Sequence, residues 1–209
     1  MENLQSLNPN RSKRALTVLK CIIAILLLPW VYSVTVSFIN EAKAVKVPFL
    51  SLFGKGIITF LVFYLFVYEH AKIYQKGQQI AEATFRFIWP LIKVAPFVLP
   101  IYSIILFLSY LLISLFVKSN SLLEYFIFFI GFSTAFHLVF TARNLRSRRD
   151  DFLMINYFFS FGLIYIINVV LLALVFSILF NSFSWINFGK SSFQINKGIF
   201  SAVFSQLFL

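Results

Sequence analysis

Four arginines between two long apolar runs constrain the fold more than any other feature of this chain. Arg143, Arg146, Arg148 and Arg149 follow an apolar run that ends near Thr141, and a second run begins after them. Arginine is costly in hydrocarbon, so a chain whose apolar runs cross a membrane must leave it here. An excess of Lys and Arg in short loops also marks the cytoplasmic side. This turn therefore predicts both a membrane protein and its orientation.

The composition indicates a chain that lies almost wholly in the bilayer. Of its 209 residues, 60% are hydrophobic and 12% are charged, whereas a soluble domain carries about 25% charged residues. The net charge of +11 fits basic residues at cytoplasmic helix ends, which attract anionic headgroups. We therefore expect no nucleic-acid partner. Cys21 is the only cysteine, which excludes an intramolecular disulfide and a four-cysteine zinc site.

Five apolar runs predict an all-α fold, a polytopic helical membrane bundle in a single domain. About 20 apolar residues suffice to cross a ~30 Å hydrocarbon core. The predicted boundaries are a cytoplasmic tail at 1–14, spans at about 17–39, 50–72, 95–117, 122–141 and 152–180, a cytoplasmic helical or interfacial connection at 69–94, and an outer-side tail at 181–209.

The predicted outer-side tail has two parts. Residues 181–196 are expected to be a polar-aromatic loop, because polar side chains interrupt the apolar pattern there. Beyond them, apolar residues recur at spacings of three and four from Ile199 to Phe208. That period predicts an amphipathic helix, which we expect to lie in the membrane interface because it is too short to cross.

Three local features leave the boundaries open or refine them. The second helix starts either near Pro48, with Lys55 close to the outer interface, or at Ile57. Gly77 is expected to join two helical extensions, and prolines at 90, 96 and 100 predict a broken segment before the third span. The first apolar run is longer than the 7–15 residues of a signal-peptide core, so it predicts a retained helix.

The distribution of basic residues predicts the orientation. With a cytoplasmic amino terminus, five spans place twelve Lys and Arg residues inside and six outside. This asymmetry predicts an N-in/C-out topology. We expect a multi-pass protein of the bacterial cytoplasmic membrane.

Polar residues form one stripe on each of the third, fourth and fifth spans. On the fourth span the stripe holds Ser133, Thr134, His137 and Thr141, at 100° per residue. The structural interpretation is that the stripes join the helices by hydrogen bonds, each contributing below ~1 kcal/mol. We favour that interpretation.

The alternative interpretation is a binding site inside the membrane. A partly wet, cytoplasm-facing cavity would take a lipid headgroup or a small solute. Its predicted lining consists of His137, Ser133, Asn156, Ser160 and Lys93.

Two further groups of residues have predicted contacts. Gly131 and Ala135 lie on a separate face of the fourth span, where small side chains allow another helix to approach closely. The four arginines of the turn could bind anionic headgroups or a soluble partner. We favour the simpler interpretation, a topology signal with Asp150 and Asp151 as charge partners.

Sequence motifs for catalysis are missing. The chain contains no His-Glu-x-x-His, no Gly-x-Ser-x-Gly and no phosphate-binding glycine loop. We therefore predict no enzyme activity, no cofactor and no metal. Glu69 and His70 could meet His137 as metal ligands, but a capped helix end explains them better.

These features predict a non-catalytic membrane protein, a subunit or accessory factor of a larger membrane assembly. Its expected partners are the lipid bilayer, anionic headgroups at the cytoplasmic face and other membrane subunits. A first alternative is a small transporter or lipid-handling protein with a cytoplasm-facing cavity between the third, fourth and fifth spans. A second is a lipid-modifying enzyme with His137 or His70 as its base.

Overall fold

Helices account for nearly all of the chain that the structure describes. The computed structural model describes residues 9–45, 48–66, 71–84, 98–117, 119–147 and 153–208, with no strand among them. In chain order the described helices are α1 (Pro9–Lys43), α2 (Phe49–Phe66), α3 (Ala71–Thr84), α4 (Ile101–Phe116), α5 (Asn120–Ser147), α6 (Leu153–Leu179) and α7 (Trp185–Phe208). The predicted all-α class is confirmed for these residues.

Four of the described helices are long and apolar enough to cross a membrane. They cover Val18–Lys43 of α1, Phe49–Phe66 of α2, Asn120–Arg146 of α5 and Tyr157–Leu179 of α6. Helix α4 is apolar but has only 16 residues, fewer than the ~20 of a typical crossing. The four long helices indicate an integral membrane protein.

Several helices extend beyond the apolar runs that predicted them. Helix α1 begins at Pro9, so residues 9–14 of the predicted cytoplasmic tail are helical, and their location in the cytoplasm stays a prediction. Helix α5 continues to Ser147, past the predicted end at 141, because arginine and leucine are good helix formers. Helix α2 begins at Phe49, which selects the start near Pro48, and Lys55 is exposed.

The prediction of a loop at residues 181–196 is wrong for residues 185–196, because α7 begins at Trp185, and it is confirmed for 181–184. Ser184 caps this helix: its Oγ accepts a hydrogen bond from the Asn187 N–H at 3.2 Å. Side-chain oxygens at this position satisfy amide groups that the first helical turn leaves free. Of the polar residues that resembled a loop, Lys190 and Gln194 are exposed on one side of this helix, and Ser192 and Asn196 are buried on the other.

Helix α3 is continuous through Gly77, so the predicted joint at this residue is also wrong. Gly77 packs against the ring of Tyr102, and a Cβ at this position would collide with that ring. The glycine therefore serves the close packing of α3 on α4 rather than a break in the helix.

Aromatic rings fill the core where α1 and α6 end and α2 begins. Phe49 and Phe176 meet edge to face, with ring centroids 4.6 Å apart and an interplanar angle of 86°. Phe38 and Phe183 lie 5.8 Å apart in the same cluster. Such pairs favour tilted or perpendicular rings because the ring face is negative and its edge positive.

Helices α2 and α5 cross at two glycines. A Cβ at Gly56 would overlap the Phe128 carbonyl oxygen, and a Cβ at Gly131 would overlap the Phe53 carbonyl oxygen. Each glycine thus lets the backbone of the opposite helix approach to contact distance. Small residues commonly allow such close crossings in membranes.

Helix α1 packs side by side with α6, and the two run in the same direction. The Thr35 hydroxyl lies 2.9 Å from the Tyr165 hydroxyl. Further toward the end of both helices, Phe38 lies 6.0 Å from Phe176. The residue numbers rise together along the pair, as a parallel arrangement requires.

Helix α7 turns back along α1. The Glu41 carboxylate accepts a hydrogen bond from the Ser184 N–H at 3.0 Å, and the Ser37 hydroxyl donates to Ser191 Oγ at 3.1 Å. Here the number on α1 falls as the number on α7 rises. Helix α7 therefore starts beside the end of α1 and runs antiparallel to it.

Candidate intramembrane polar site

The polar stripe of α5 is buried. The exposed fraction is 5% for Ser133, Thr134 and His137 and 0% for Thr141. Thr134 Oγ1 donates to the Ile130 carbonyl of its own helix at 2.8 Å. The other three side chains face neighbouring helices, so the contacts of these side chains depend on which residues α3 and α4 place beside them.

Helix α3 lies across the arginine end of α5 and presents Tyr74 to the stripe. The Tyr74 hydroxyl lies 2.9 Å from Thr141 Oγ1, and the tyrosine is 3% exposed. Its ring stacks on Phe140, with centroids 5.3 Å apart and an interplanar angle of 20°. The polar composition of this stretch predicts only a connection, so Tyr74 is not among the predicted site residues. The spacing of Tyr74 and Gly77 on one face of α3 was the available signal.

Burial controls the ionisation of Tyr74. Desolvation raises the pKa of its phenol above the ordinary 10.0, and hydrogen bonds with Thr141, Asn144 and Gln78 lower the pKa in part. The phenol is therefore neutral at physiological pH. In that state it contributes a hydrogen bond and does not act as a base.

His137 lies beside Tyr74, with ring centroids 6.3 Å apart. Both rings line a cavity of about 10 Å³ between α3, α4 and α5, which Gln78 and Tyr102 also border. A single water needs roughly 10–15 Å³. The cavity next to His137 therefore has room for about one water molecule.

Of the predicted lining residues, His137 lines that cavity, whereas Ser133 and Ser160 do not. Ser133 faces a separate apolar groove and its Oγ accepts a hydrogen bond from the Ser103 hydroxyl at 3.0 Å. Ser160 is half-buried on α6 and lines neither space. Asn156 lies in α6, and Lys93 lies outside the described residues. A site that uses all five residues stays a prediction.

The small residues of α5 lie against α2. Gly131 forms the close crossing with Phe53, and Ala135 is 7% exposed in a cluster with Phe60 and Phe136. The arginines lie at the other end of this helix. Arg143 and Arg146 are exposed in its last two turns, and Arg148 and Arg149 lie outside the described residues.

Asn168 is a second buried polar group, on α6. It is 1% exposed, and its Nδ2 donates to the Val98 carbonyl at 3.0 Å and to the Ile164 carbonyl at 2.8 Å. The bond to Val98 joins α6 to the segment that leads into α4. This contact agrees with the structural interpretation, in which buried polar side chains join neighbouring segments by hydrogen bonds.

The described residues contain no group of three His, Cys, Asp or Glu side chains that could hold a metal ion. Glu69 and His70, the predicted alternative ligands, lie outside that part of the chain. No chemistry beyond hydrogen bonding follows from the described geometry around His137.

A polar stripe also runs along the exposed side of α7. Lys190, Gln194, Lys197 and Ser201 are all exposed, and their spacing places them on one face. The opposite face packs on α1 and buries Phe188, Ser192 and Asn196, which are 3%, 4% and 5% exposed. We call the exposed set the α7 stripe.

A groove of about 510 Å³ runs beside the α7 stripe. Phe193, Phe200 and Phe204 form its apolar wall, and Asn196 and Lys197 border it. The Oδ1 atom of Asn196 is buried and has no hydrogen-bond partner. A buried acceptor left without a donor costs about 1–3 kcal/mol, and this atom lies on the side of α7 that is covered by the rest of the fold.

Comparisons with known proteins show no family for this chain. No family model matches the chain, and neither a curated protein nor a solved structure is significantly similar to it.

Proposed function

We propose that this protein is a non-catalytic subunit or accessory factor of a larger membrane assembly. The single observation that carries the proposal is the α7 stripe. It exposes two lysines on a helix that packs alongside the membrane-spanning α1. The apolar groove beside the stripe supports the same surface as the place where a partner binds.

The depth of Lys197 favours a protein partner. At 1.5 Å per residue, Lys190 lies about 8 Å and Lys197 about 18 Å from Trp185 along the helix. With Trp185 at the outer membrane interface, Lys190 can reach the outer headgroups, but Lys197 lies near the middle of a ~30 Å core. A lysine there costs about 2.5–3.5 kcal/mol on insertion scales. A transmembrane helix with a carboxylate would offset that cost.

The finer topology belongs to the same proposal. Helices α1, α2, α4, α5 and α6 make five crossings, with the amino terminus and the Arg143 end of α5 in the bacterial cytoplasm and Asn181 outside. With Lys197 inside the bilayer, twelve basic residues on the cytoplasmic side against five outside support this orientation. Helix α7 then enters the bilayer beside α1, whereas the sequence pattern predicted an interfacial helix and a C-out tail.

Cysteine labelling in intact cells tests this topology. In a Cys21→Ser background, Asn181→Cys should react with a membrane-impermeant maleimide and Arg146→Cys should react only after lysis. Ser205→Cys should resist labelling from outside if α7 enters the bilayer. Labelling of Ser205→Cys as strong as that of Asn181→Cys would restore the interfacial, C-out alternative.

Site-specific photo-crosslinking tests the partner. A benzophenone amino acid at Gln194 should capture one membrane protein, whereas the same residue at the lipid-facing Ile178 of α6 should capture only lipid. Ile178 is a matched control because it is 59% exposed on a membrane-spanning helix. Identical products at both positions would refute the proposed surface.

A charge swap then tests the chemistry of the contact. Lys197→Met should lower the crosslink yield about tenfold, which corresponds to ~1.4 kcal/mol. The captured protein should carry an Asp or Glu in a transmembrane segment, and exchanging the two charges should restore capture. A partner without such a carboxylate would overturn the proposal.

The same assay separates the alternatives that depend on His137. The cavity beside this residue holds about one water, which favours a structural role over solute binding. His137→Gln should therefore leave the crosslink yield unchanged while Lys197→Met lowers it. Equal loss in both variants would favour a function centred on His137.

A further inference from the structure

An apolar groove opens on the side of the bundle away from α7. Helices α2 and α4 both pack against α5 and leave a cleft above it. The cleft has a volume of about 270 Å³, and its walls come from Phe63 of α2, Ile105 and Leu106 of α4, and Phe129 and Phe132 of α5. Ile73 of α3 borders its end. We call this space the α2–α4 groove.

The polar atoms at the groove are already used. Ser133 Oγ accepts from the Ser103 hydroxyl at 3.0 Å, and the Tyr102 hydroxyl donates to the Ile73 carbonyl. An occupant therefore finds an almost wholly hydrocarbon and aromatic surface. This chemistry fits a saturated or unsaturated acyl chain better than a polar solute.

The length and the opening of the groove fit one leaflet. From Phe136 to Phe129 on α5 the groove extends seven residues, or about 10 Å, within the ~15 Å that one leaflet contributes to a ~30 Å core. Phe63, Ile105 and Phe129 remain between 41% and 48% exposed. The groove is thus open sideways, where acyl chains are the surrounding solvent.

Helix α3 carries an exposed lysine, Lys76, three residues after Ile73, which borders the groove. Ile73 and Ile80 are 52% and 45% exposed on one side of this helix, and the exposed Lys76 lies on that side between them. Gln75, Gln79 and Glu82 are exposed on its remaining surface. This division is typical of a helix that lies in the interface, with its lysine at the headgroup level.

We propose that the α2–α4 groove holds one acyl chain of an anionic phospholipid whose phosphate binds Lys76. The groove supplies the apolar wall and α3 supplies the positive charge at the height of the headgroups. This site is separate from the α7 stripe, and it does not depend on the proposed partner.

Native mass spectrometry of the purified full chain tests the site. The protein is exchanged into mild detergent with equimolar phosphatidylglycerol and phosphatidylcholine that carry the same acyl chains, and the lipid that stays bound is quantified. Wild-type protein should retain one phosphatidylglycerol. Retention of both lipids in equal amounts would overturn the assignment of an anionic lipid.

A matched pair of tryptophan variants tests the groove itself. Ile105→Trp should fill the groove and lower lipid retention about tenfold. Leu112→Trp lies two turns further on the same face of α4, is 63% exposed and lies outside the groove, so it should retain lipid as wild type does. Ile105→Ala, which preserves the fold, should lower retention by a smaller factor. Equal retention by the three variants would refute the groove.

A pair of lysine variants tests the headgroup contact. Lys76→Gln should lower the preference for phosphatidylglycerol about fivefold while leaving a bound lipid. Lys55→Gln, at an exposed lysine of α2, should keep the wild-type preference. An unchanged preference in Lys76→Gln would show that the lysine does not bind the phosphate.

Discussion

At the scale of single residues, Gly131 determines how closely α2 and α5 approach. A Cβ at this position would overlap the Phe53 carbonyl oxygen, and backbone cannot move aside as a side chain can. Gly131→Ala should therefore destabilise the protein by about 1–3 kcal/mol, the usual range for overpacking. Thermal unfolding in detergent measures the change.

The chain offers a control for this prediction. A Cβ at Gly189 of α7 meets nothing within 4 Å, so Gly189→Ala should be neutral or stabilising by up to ~1 kcal/mol through helix propensity. If both substitutions gave the same unfolding temperature, the close crossing would not contribute to stability.

Tyr74 provides a second prediction at this scale. Its hydroxyl bonds Thr141 in a buried setting, so Tyr74→Phe should cost roughly 0.5–1.5 kcal/mol. Thr141→Val should cost a similar amount. If the two residues act through their mutual bond, the double variant should cost less than the sum. Additive losses would show that the residues act independently.

The ionisation of Tyr74 adds a dependence on pH. Burial raises the pKa of the folded phenol above 10.0, so the unfolded chain releases this proton at lower pH than the folded protein does. Stability from this group is therefore complete below pH ~10 and falls as the pH rises above it. Tyr74→Phe should flatten that alkaline decline, measured against wild type by unfolding between neutral and alkaline pH.

The small side chains of α5 and its polar stripe could be recognised from spacing alone. The partners of the stripe could not, because Tyr74 and Gly77 lie in a polar stretch whose path across α5 depends on tertiary packing. Asn168 shows the same limit. Its burial follows from an apolar run, whereas its bond to Val98 joins residues 70 positions apart.

At the scale of helices, hydropathy predicts the apolar elements and fails at α7. Helices α1, α2, α5 and α6 coincide with long apolar runs, because burial in lipid requires apolar side chains over the whole circumference. Helix α7 carries Lys190, Gln194 and Lys197 on one side only. Over a short window such a stripe resembles a loop. Serine is too common a residue for Ser184 alone to indicate a helix start and correct the predicted loop.

The attachment of α7 to α1 gives a prediction for an element. The Glu41 carboxylate accepts from the Ser184 N–H at the start of α7, where a negative charge also interacts favourably with the helix dipole. Glu41→Gln keeps the size of the side chain and removes its charge. It should weaken the docking of α7 by about 0.5–2 kcal/mol.

Hydrogen exchange of the α7 amides measures this effect. Protection in the first turns of α7 should fall in Glu41→Gln and stay at the wild-type level in Glu124→Gln, whose carboxylate is exposed on α5. Unchanged protection in both variants would show that the carboxylate does not anchor the helix.

At the scale of the whole molecule, the charged residues of the turn affect the orientation in the membrane, whereas core packing determines stability. Arg143 and Arg146 are exposed and form no part of the described core. Replacing Arg143, Arg146, Arg148 and Arg149 with Gln should leave stability within ~0.5 kcal/mol of wild type. In the proposed topology, the same change reduces the cytoplasmic count of Lys and Arg from twelve to eight against five outside.

Because this count sets the orientation, a fraction of the quadruple variant should insert upside down. The labelling of Asn181→Cys from outside the cell measures that fraction, and unfolding in detergent provides the control for the fold. If every molecule kept the wild-type orientation, the basic residues nearer the amino terminus would determine the topology alone.

The packing of α1 has a consequence for how the protein is made. This helix contacts α2 only slightly and packs mainly on α6 and α7, which come after α5 in the chain. During synthesis α1 therefore has lipid or an insertase beside it until α6 and α7 have been made. In a chain interrupted after α5, the Ser37 hydroxyl lacks its Ser191 partner on α7, so such a chain exposes a hydroxyl of α1 that is buried in the folded protein.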